Sequence, residues 1–211
     1  MIRYDNLYSN TSRVTGRSYG MKITFVTTNW EKINEAKLAL TPYGLEVEAG
    51  NYDFNEPIEG DMEYIAKLKL LQIRDKIKAD TPIIVDDSGI YFEAYTDFPG
   101  ILTKRIFQMI GYKGVKKLLQ NEDRSAYFHG VIAFLWNDEI KIFHGQTRGS
   151  IIEDIPDNLP LDSKFPFDPI FVPEGSSRTL GEMTIEERLK FSYRREALDL
   201  LGQWVTSKVK L

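Results

Sequence analysis

Two hydrophobic periods take turns along this chain, and each change of period marks a new element. Residues 22–27 (KITFVT) read as a strand, and 30–40 follow with Ile33, Ala36 and Leu40 on one helical face until Thr41-Pro42 stops the helix. A second strand near 45–49 leads through an acidic loop at 51–60 into a long helix, 62–78, with Ile65, Leu68, Ile73 and Ile77 as its apolar positions. Next comes Ile83-Ile84-Val85-Asp86-Asp87-Ser88-Gly89, three apolar β-formers running into two carboxylates and a glycine, with a short strand expected at 90–94. Phe98-Pro99-Gly100 then breaks the chain, and helices at about 102–110 and 115–120 are separated by Gly111 and Gly114. Residues 126–136 and 139–152 form a hairpin turning at Asn137-Asp138, and after an irregular stretch helices are expected near 185–190 and 194–205. Alternating strands and helices followed by a long hairpin predict an α/β domain with a mixed sheet and a cleft at strand ends.

Composition narrows the chemistry. The 211 residues suit a single domain, expected over 21–211, with 42% hydrophobic and 27% charged residues. No apolar run is long enough to span a bilayer, and no secretory stretch stands at the start, so a cytoplasmic protein without a membrane partner is expected. Residues 1–20 are poor in apolar positions and read as a disordered or artefactual extension, with Met21 a candidate for the true start. A net charge of -4 disfavours a nucleic-acid-coating surface. The absence of cysteine removes thiolate chemistry, and His129 and His144 alone supply a zinc site poorly, so oxygen-ligated Mg²⁺ suits the remaining donors better. Both histidines fall in the hairpin and read as structural.

Three segments carry candidate chemistry. In the first, Asp86 and Asp87 point to opposite faces of a strand, so one reaches a ligand while the other braces it; an Asp-Ser-Gly turn is the alternative. In the second, Thr27, Thr28 and Asn29 with Lys32 gather donors at a helix N-terminus, which suits phosphate, whereas simple capping by Thr28 or Asn29 beside a solvated lysine needs no ligand. Glu56, Asp86 and Asp87 can supply acidic metal ligands, with Glu59, Asp61 and Glu63 better read as a solvated helix start. In the third, Phe165 can stack on a flat base, Asp168 can accept a ring N–H and Arg194 can donate to a carbonyl; the same aromatics can equally be core. Arg188 and Arg194 can also be helix-surface charges, and Thr184 with Glu187 makes a capping box.

In order along the chain, Thr27-Thr28-Asn29-Trp30-Glu31-Lys32, Val85-Asp86-Asp87-Ser88-Gly89, Phe98-Pro99-Gly100, the run from Phe165 to Phe171 and Ser192-Tyr193-Arg194 resemble the motifs of the inosine triphosphate pyrophosphatase family. The resemblance implies an elongated mixed β-sheet flanked by helices, with the active-site groove between two lobes. It implies hydrolysis of non-standard purine nucleoside triphosphates (ITP, dITP, XTP) to monophosphate and pyrophosphate, and often a homodimer. It further implies that Thr27, Thr28, Asn29, Lys32 and Ser88 hold the substrate, that Glu56 and Asp87 ligate Mg²⁺, and that Asp87 is the base for water with Asp86 in support. Lys104 and Arg188 would add positive charge toward the phosphates, while Phe165, Phe167, Asp168, Tyr193 and Arg194 would line the base pocket.

Departures from the family pattern concentrate at the base. Tyr193 stands where the family has histidine, Arg188 where it usually has lysine, and Lys164 and Pro166 where it has glycines. Proline lacks an N–H and fixes φ, so a glycine-dependent contact at 166 is not reproduced. The competing expectations are therefore a pyrophosphatase with shifted base preference, or a nucleotide-binding sensor with little turnover.

Overall fold

The computed structural model describes residues 20–208 apart from 56, 58, 79, 157 and 160–164. Glu56, Lys164 and residues 1–19 therefore lie outside the described residues.

Among the described residues six strands form one mixed sheet in the order β2-β1-β3-β4-β5-β6, where β1 is Met21–Val26, β2 Leu45–Gly50, β3 Ile83–Phe92, β4 Ser125–Trp136, β5 Glu139–Ile151 and β6 Phe171–Pro173. The first three strands are parallel and the rest antiparallel. The helices are α1 (Trp30–Leu40), α2 (Met62–Arg74), α3 (Thr103–Leu118), α4 (Ile185–Arg188) and α5 (Tyr193–Lys208).

Strand alternation sends β3 side chains into different cores. Ile84 joins α1 and α5 residues such as Ala36 and Leu198 in one cluster, whereas Ile83 and Val85 join α2 residues Ala66 and Leu70 in another. A third cluster, built on Ile90, Phe92, Phe107 and Phe171, fills the far end of the long strands. Three clusters at opposite faces and ends of one sheet give it two lobes, with β3 crossing from one to the other.

The alternative turn at Asp87-Ser88-Gly89 and the expected separate strand at 90–94 do not form. Instead β3 runs unbroken through both, because β4 pairs with it continuously from Ile83↔Leu135 to Phe92↔Ala126. The expected hairpin turn is present, with Asn137 and Asp138 both at positive φ. Gly111 (φ 56, ψ -167) breaks α3 at the first of the two glycines expected to separate two helices. Helix α2 ends at Arg74 rather than 78, yet Ile77 still packs on the same cluster, so its apolar signal reports burial and not helix. β6 falls in the stretch read as irregular; it is three residues long and ends in proline.

Candidate active site

The pairing of β3 explains where the site opens. On the edge facing β1, the ladder stops at Phe25↔Ile84, and the next contact is the isolated bridge Tyr91↔Pro99. Between them lie Asp86, Asp87 and Ser88. Ile90 N donates to Thr103 Oγ1 and Phe92 N to the Phe98 carbonyl on this edge, so the period of two aims the N–H groups of Asp86 and Ser88 the same way. The bank opposite β1 is clamped closely: a Cβ on Gly89 would lie 2.1 Å from the Gly100 carbonyl oxygen, so glycine is required where Phe98-Pro99-Gly100 meets β3. Two separated motifs thus form one groove wall.

The two aspartates leave β3 on opposite faces. Asp86, buried on the α1/α5 face, accepts from Lys32 Nζ at 2.9 Å and from Arg194 Nε at 2.9 Å. Burial alone would raise its carboxyl, but Lys32 and Arg194 overcome that and hold it well below the usual carboxylate range. Asp87, on the α2 face, accepts from Lys69 Nζ at 3.1 Å. Its carboxyl is raised, first by burial, with Lys69 opposing and the Asp86 charge adding. The alternation puts the two carboxylates on opposite faces as expected, and Asp86 is tied by two cations while Asp87 is the more open.

Lys32 is not the solvated lysine of the simple capping alternative. Its side chain is 20% exposed and bridges to Asp86, with burial lowering its ammonium, Asp86 opposing, and Arg194 and Lys69 lowering it further. Asn29 does cap α1, accepting from Glu31 N at 3.0 Å, and Thr27 Oγ1 accepts from Asn29 N at 3.1 Å. Thr28 is exposed at the lip. The capping alternative thus holds for Asn29 but not for Lys32.

Arg194 is no surface charge. Its guanidinium donates from Nε to Asp86, from Nη1 to Glu35 Oε2 at 2.8 Å and from Nη2 to the Tyr193 hydroxyl at 3.0 Å, which leaves at most one N–H on each terminal nitrogen for a ligand. Burial opposes its charge, but Tyr193, Asp86 and Glu35 raise it well above the ordinary value, so it stays protonated. Asp168 accepts from Arg188 Nη1 at 2.9 Å; burial pushes its carboxyl up to about 6 although Arg188 opposes this. Arg194 reaches Asp86 of the first sequence segment and Glu35 on the helix that follows the second, so the third segment meets both.

Other candidates fall differently. Phe167 is 3% exposed and sits edge-on between Phe92 and Phe107, the core reading of the aromatic run. Phe165 is half-buried. Lys104 is exposed on the first turn of α3, and Arg188 is engaged with Asp168 rather than standing as a separate cation. The Thr184–Glu187 capping box is present. His129 and His144 meet at 3.1 Å on the sheet surface, with His144 Nε2 3.0 Å from Glu63.

Two residues at the centre escaped the sequence reading. Lys69 is 5% exposed on the apolar stripe Ile65, Ala66, Leu70 and Ile73, a position where an unpaired lysine is costly; that was the available signal. Glu35, one turn after Lys32, holds Arg194 and accepts from Ser192 Oγ. Among the described residues, no three His, Cys, Asp or Glu side chains group to hold a metal. A hard cation shared with substrate phosphates needs only one or two carboxylates, and the oxygens of Asp87 meet that need.

Residues 23–204 match the Ham1 family. The dITP/XTP pyrophosphatase of Thermococcus kodakarensis is 38% identical over 90% of this chain and all of its own length, and that of Saccharolobus solfataricus is 38% identical over 89% and 95% respectively. Among solved structures, a HAM1 protein from Coxiella burnetii superposes with a TM-score of 0.67 at 25% identity, covering 89% of this chain and 99% of that one. The Ham1 protein of Staphylococcus aureus shares the fold, with a TM-score of 0.66. The sequence match runs through β1 to α5 and the mixed sheet is shared with solved members: this chain belongs to the Ham1 family.

Proposed function

We propose that this chain is a nucleoside-triphosphate pyrophosphatase that hydrolyses purine nucleotides with a 6-carbonyl base, ITP, dITP and XTP, to the monophosphate and pyrophosphate. The observation that carries the reading is the groove at Asp86–Asp87, where Lys32, Lys69 and Arg194 crowd two carboxylates on an unpaired strand edge. A polyanion entering there meets ammonium groups already desolvated and the N-terminus of α1.

In this reading Thr27, Asn29 and Lys32 hold phosphates, and Asp87, with Glu56, ligates Mg²⁺. Bound Mg²⁺ would neutralise phosphate oxygens and lower the pKa of water. Asp87 takes the proton of a water whose oxygen bonds the α-phosphorus; the α–β bridge breaks and pyrophosphate leaves with its charge stabilised by lysines. Lys69 keeps Asp87 aimed, and Asp86 fixes Lys32 and Arg194. At the base, ionised Asp168 accepts a ring N–H and Arg194 donates to the carbonyl, a pattern adenine reverses. A site whose buried polar groups go unpaired by the wrong base can reject it by about ten-thousand-fold. We read the enzyme as a cytoplasmic homodimer acting on free nucleotides rather than nucleic acid.

Turnover of ITP in ¹⁸O-water tests the bond cleaved. Label in the monophosphate, with unlabelled pyrophosphate, is expected; release of orthophosphate and a diphosphate would overturn the reading.

A further inference from the structure

We infer that Tyr193 is a positioning residue for base selection, acting through Arg194 by clamping its guanidinium between a phenol and two carboxylates. This rests on the reading of the groove as a base-discriminating nucleotide site, and it departs from a direct contact between residue 193 and the base.

The geometry is specific. Arg194 Nη2 donates to the Tyr193 hydroxyl at 3.0 Å, while Asp86 and Glu35 take Nε and Nη1. Each nitrogen of the guanidinium is thereby held by a different element of the fold: α5 itself, β3 and α1. Its ring has no room to swing. It stacks on Phe128 (5.6 Å, 21°), and a Cβ on Gly130 would lie 2.5 Å from it. A Cβ on Gly145 would lie 1.8 Å from the Tyr193 carbonyl oxygen, so the sheet is cut away beneath both ring and backbone. The guanidinium carbon also lies 5.0 Å from the ring centroid.

A phenol keeps this clamp neutral across the working pH range. Burial raises the Tyr193 hydroxyl, Arg194 opposes, and the Asp86 and Glu35 charges raise it again. An imidazole in its place would be titratable, and its protonated form would repel Arg194. The charged groups facing the position are Arg194 on α5, Asp86 on β3 and Glu35 on α1.

The test compares wild type, Tyr193→Phe and Tyr193→His for kcat and KM on ITP and ATP from pH 5.5 to 8.5. Phenylalanine keeps the stack and loses only the hydroxyl. The expected result is a loss of about tenfold in the ITP-over-ATP ratio of kcat/KM, the size of one hydrogen bond to a charged group. Divided by the wild-type ratio at the same pH, which removes the part due to Asp168, the histidine ratio should stay near one above its imidazole pKa and fall below it. A Phe variant with unchanged ratio, including one slowed equally on both substrates, overturns the inference. A wild type that turns over neither ITP nor XTP overturns instead the reading on which it rests.

Discussion

Lys69 Nζ lies 3.1 Å from Asp87 Oδ1, joining the buried stripe of α2 to the more open of the two β3 aspartates. A lysine on an apolar stripe is stable only with such a partner, so the packing of α2 and the aim of Asp87 are one arrangement. Replacing Lys69 by methionine keeps the volume and removes the charge. We expect kcat on ITP to fall by about a hundredfold. Because the lost cation opposed the rise of the Asp87 carboxyl, the acid limb of kcat/KM should move to higher pH. A pH–rate profile of Lys69→Met against Lys69→Arg checks both.

Asp86 should matter for stability as well as activity. Removing one partner of a buried ion pair costs about 3 kcal/mol, and Asp86→Asn leaves two cations facing each other. Its folded carboxyl titrates below the unfolded value, so the stabilisation is present above about pH 4 and is lost as pH falls through the folded pKa. The difference in Tm between wild type and Asp86→Asn should therefore be full at pH 7 and shrink below pH 4, as read by thermal melts across that range.

Asp168 predicts a pH-dependent selectivity. With its carboxyl pushed up to about 6 by burial, it accepts a ring N–H only when ionised. The ITP-over-ATP ratio should fall as pH drops from 7.5 to 5.5, and Asp168→Asn should remove that dependence while lowering the ratio. Steady-state kinetics with the two substrates at matched ionic strength measure it.

Gly89→Ala tests the groove wall. The added methyl would strike the Gly100 carbonyl oxygen, a backbone atom further fixed by Thr103 Oγ1, which donates to it at 2.6 Å. A destabilisation of about 2 kcal/mol is expected from overpacking, read by urea denaturation.

The long apolar patterns were legible because burial and period coincide there. Ile33, Ala36 and Leu40 are all core, and the Asn137-Asp138 turn needed only local chemistry. The paired aspartates were legible as a site but not as mid-strand residues, because Asp, Ser and Gly suit turns and only the β4 partner overrides that preference. Helix α2 shows the opposite failure. Taking Leu68 as an apolar-face residue put the stripe one position out; Leu68 is half-buried and Lys69 lies inside, since a residue bound for an ion pair carries no hydrophobic mark. Phe167 and Asp168 are sequence neighbours with different surroundings, one in the core and one at the groove, a division set by tertiary packing alone.

Pyrophosphate release from ITP, dITP, XTP, GTP, ATP and dUTP, with and without Mg²⁺, for wild type and Asp87→Asn, bears most directly on the central claim. The account predicts Mg²⁺-dependent release from ITP or XTP, about a hundredfold or more above ATP, and its loss in Asp87→Asn. Folded wild type that binds nucleotides but hydrolyses none, or an Asp87→Asn variant as active as wild type, would contradict it.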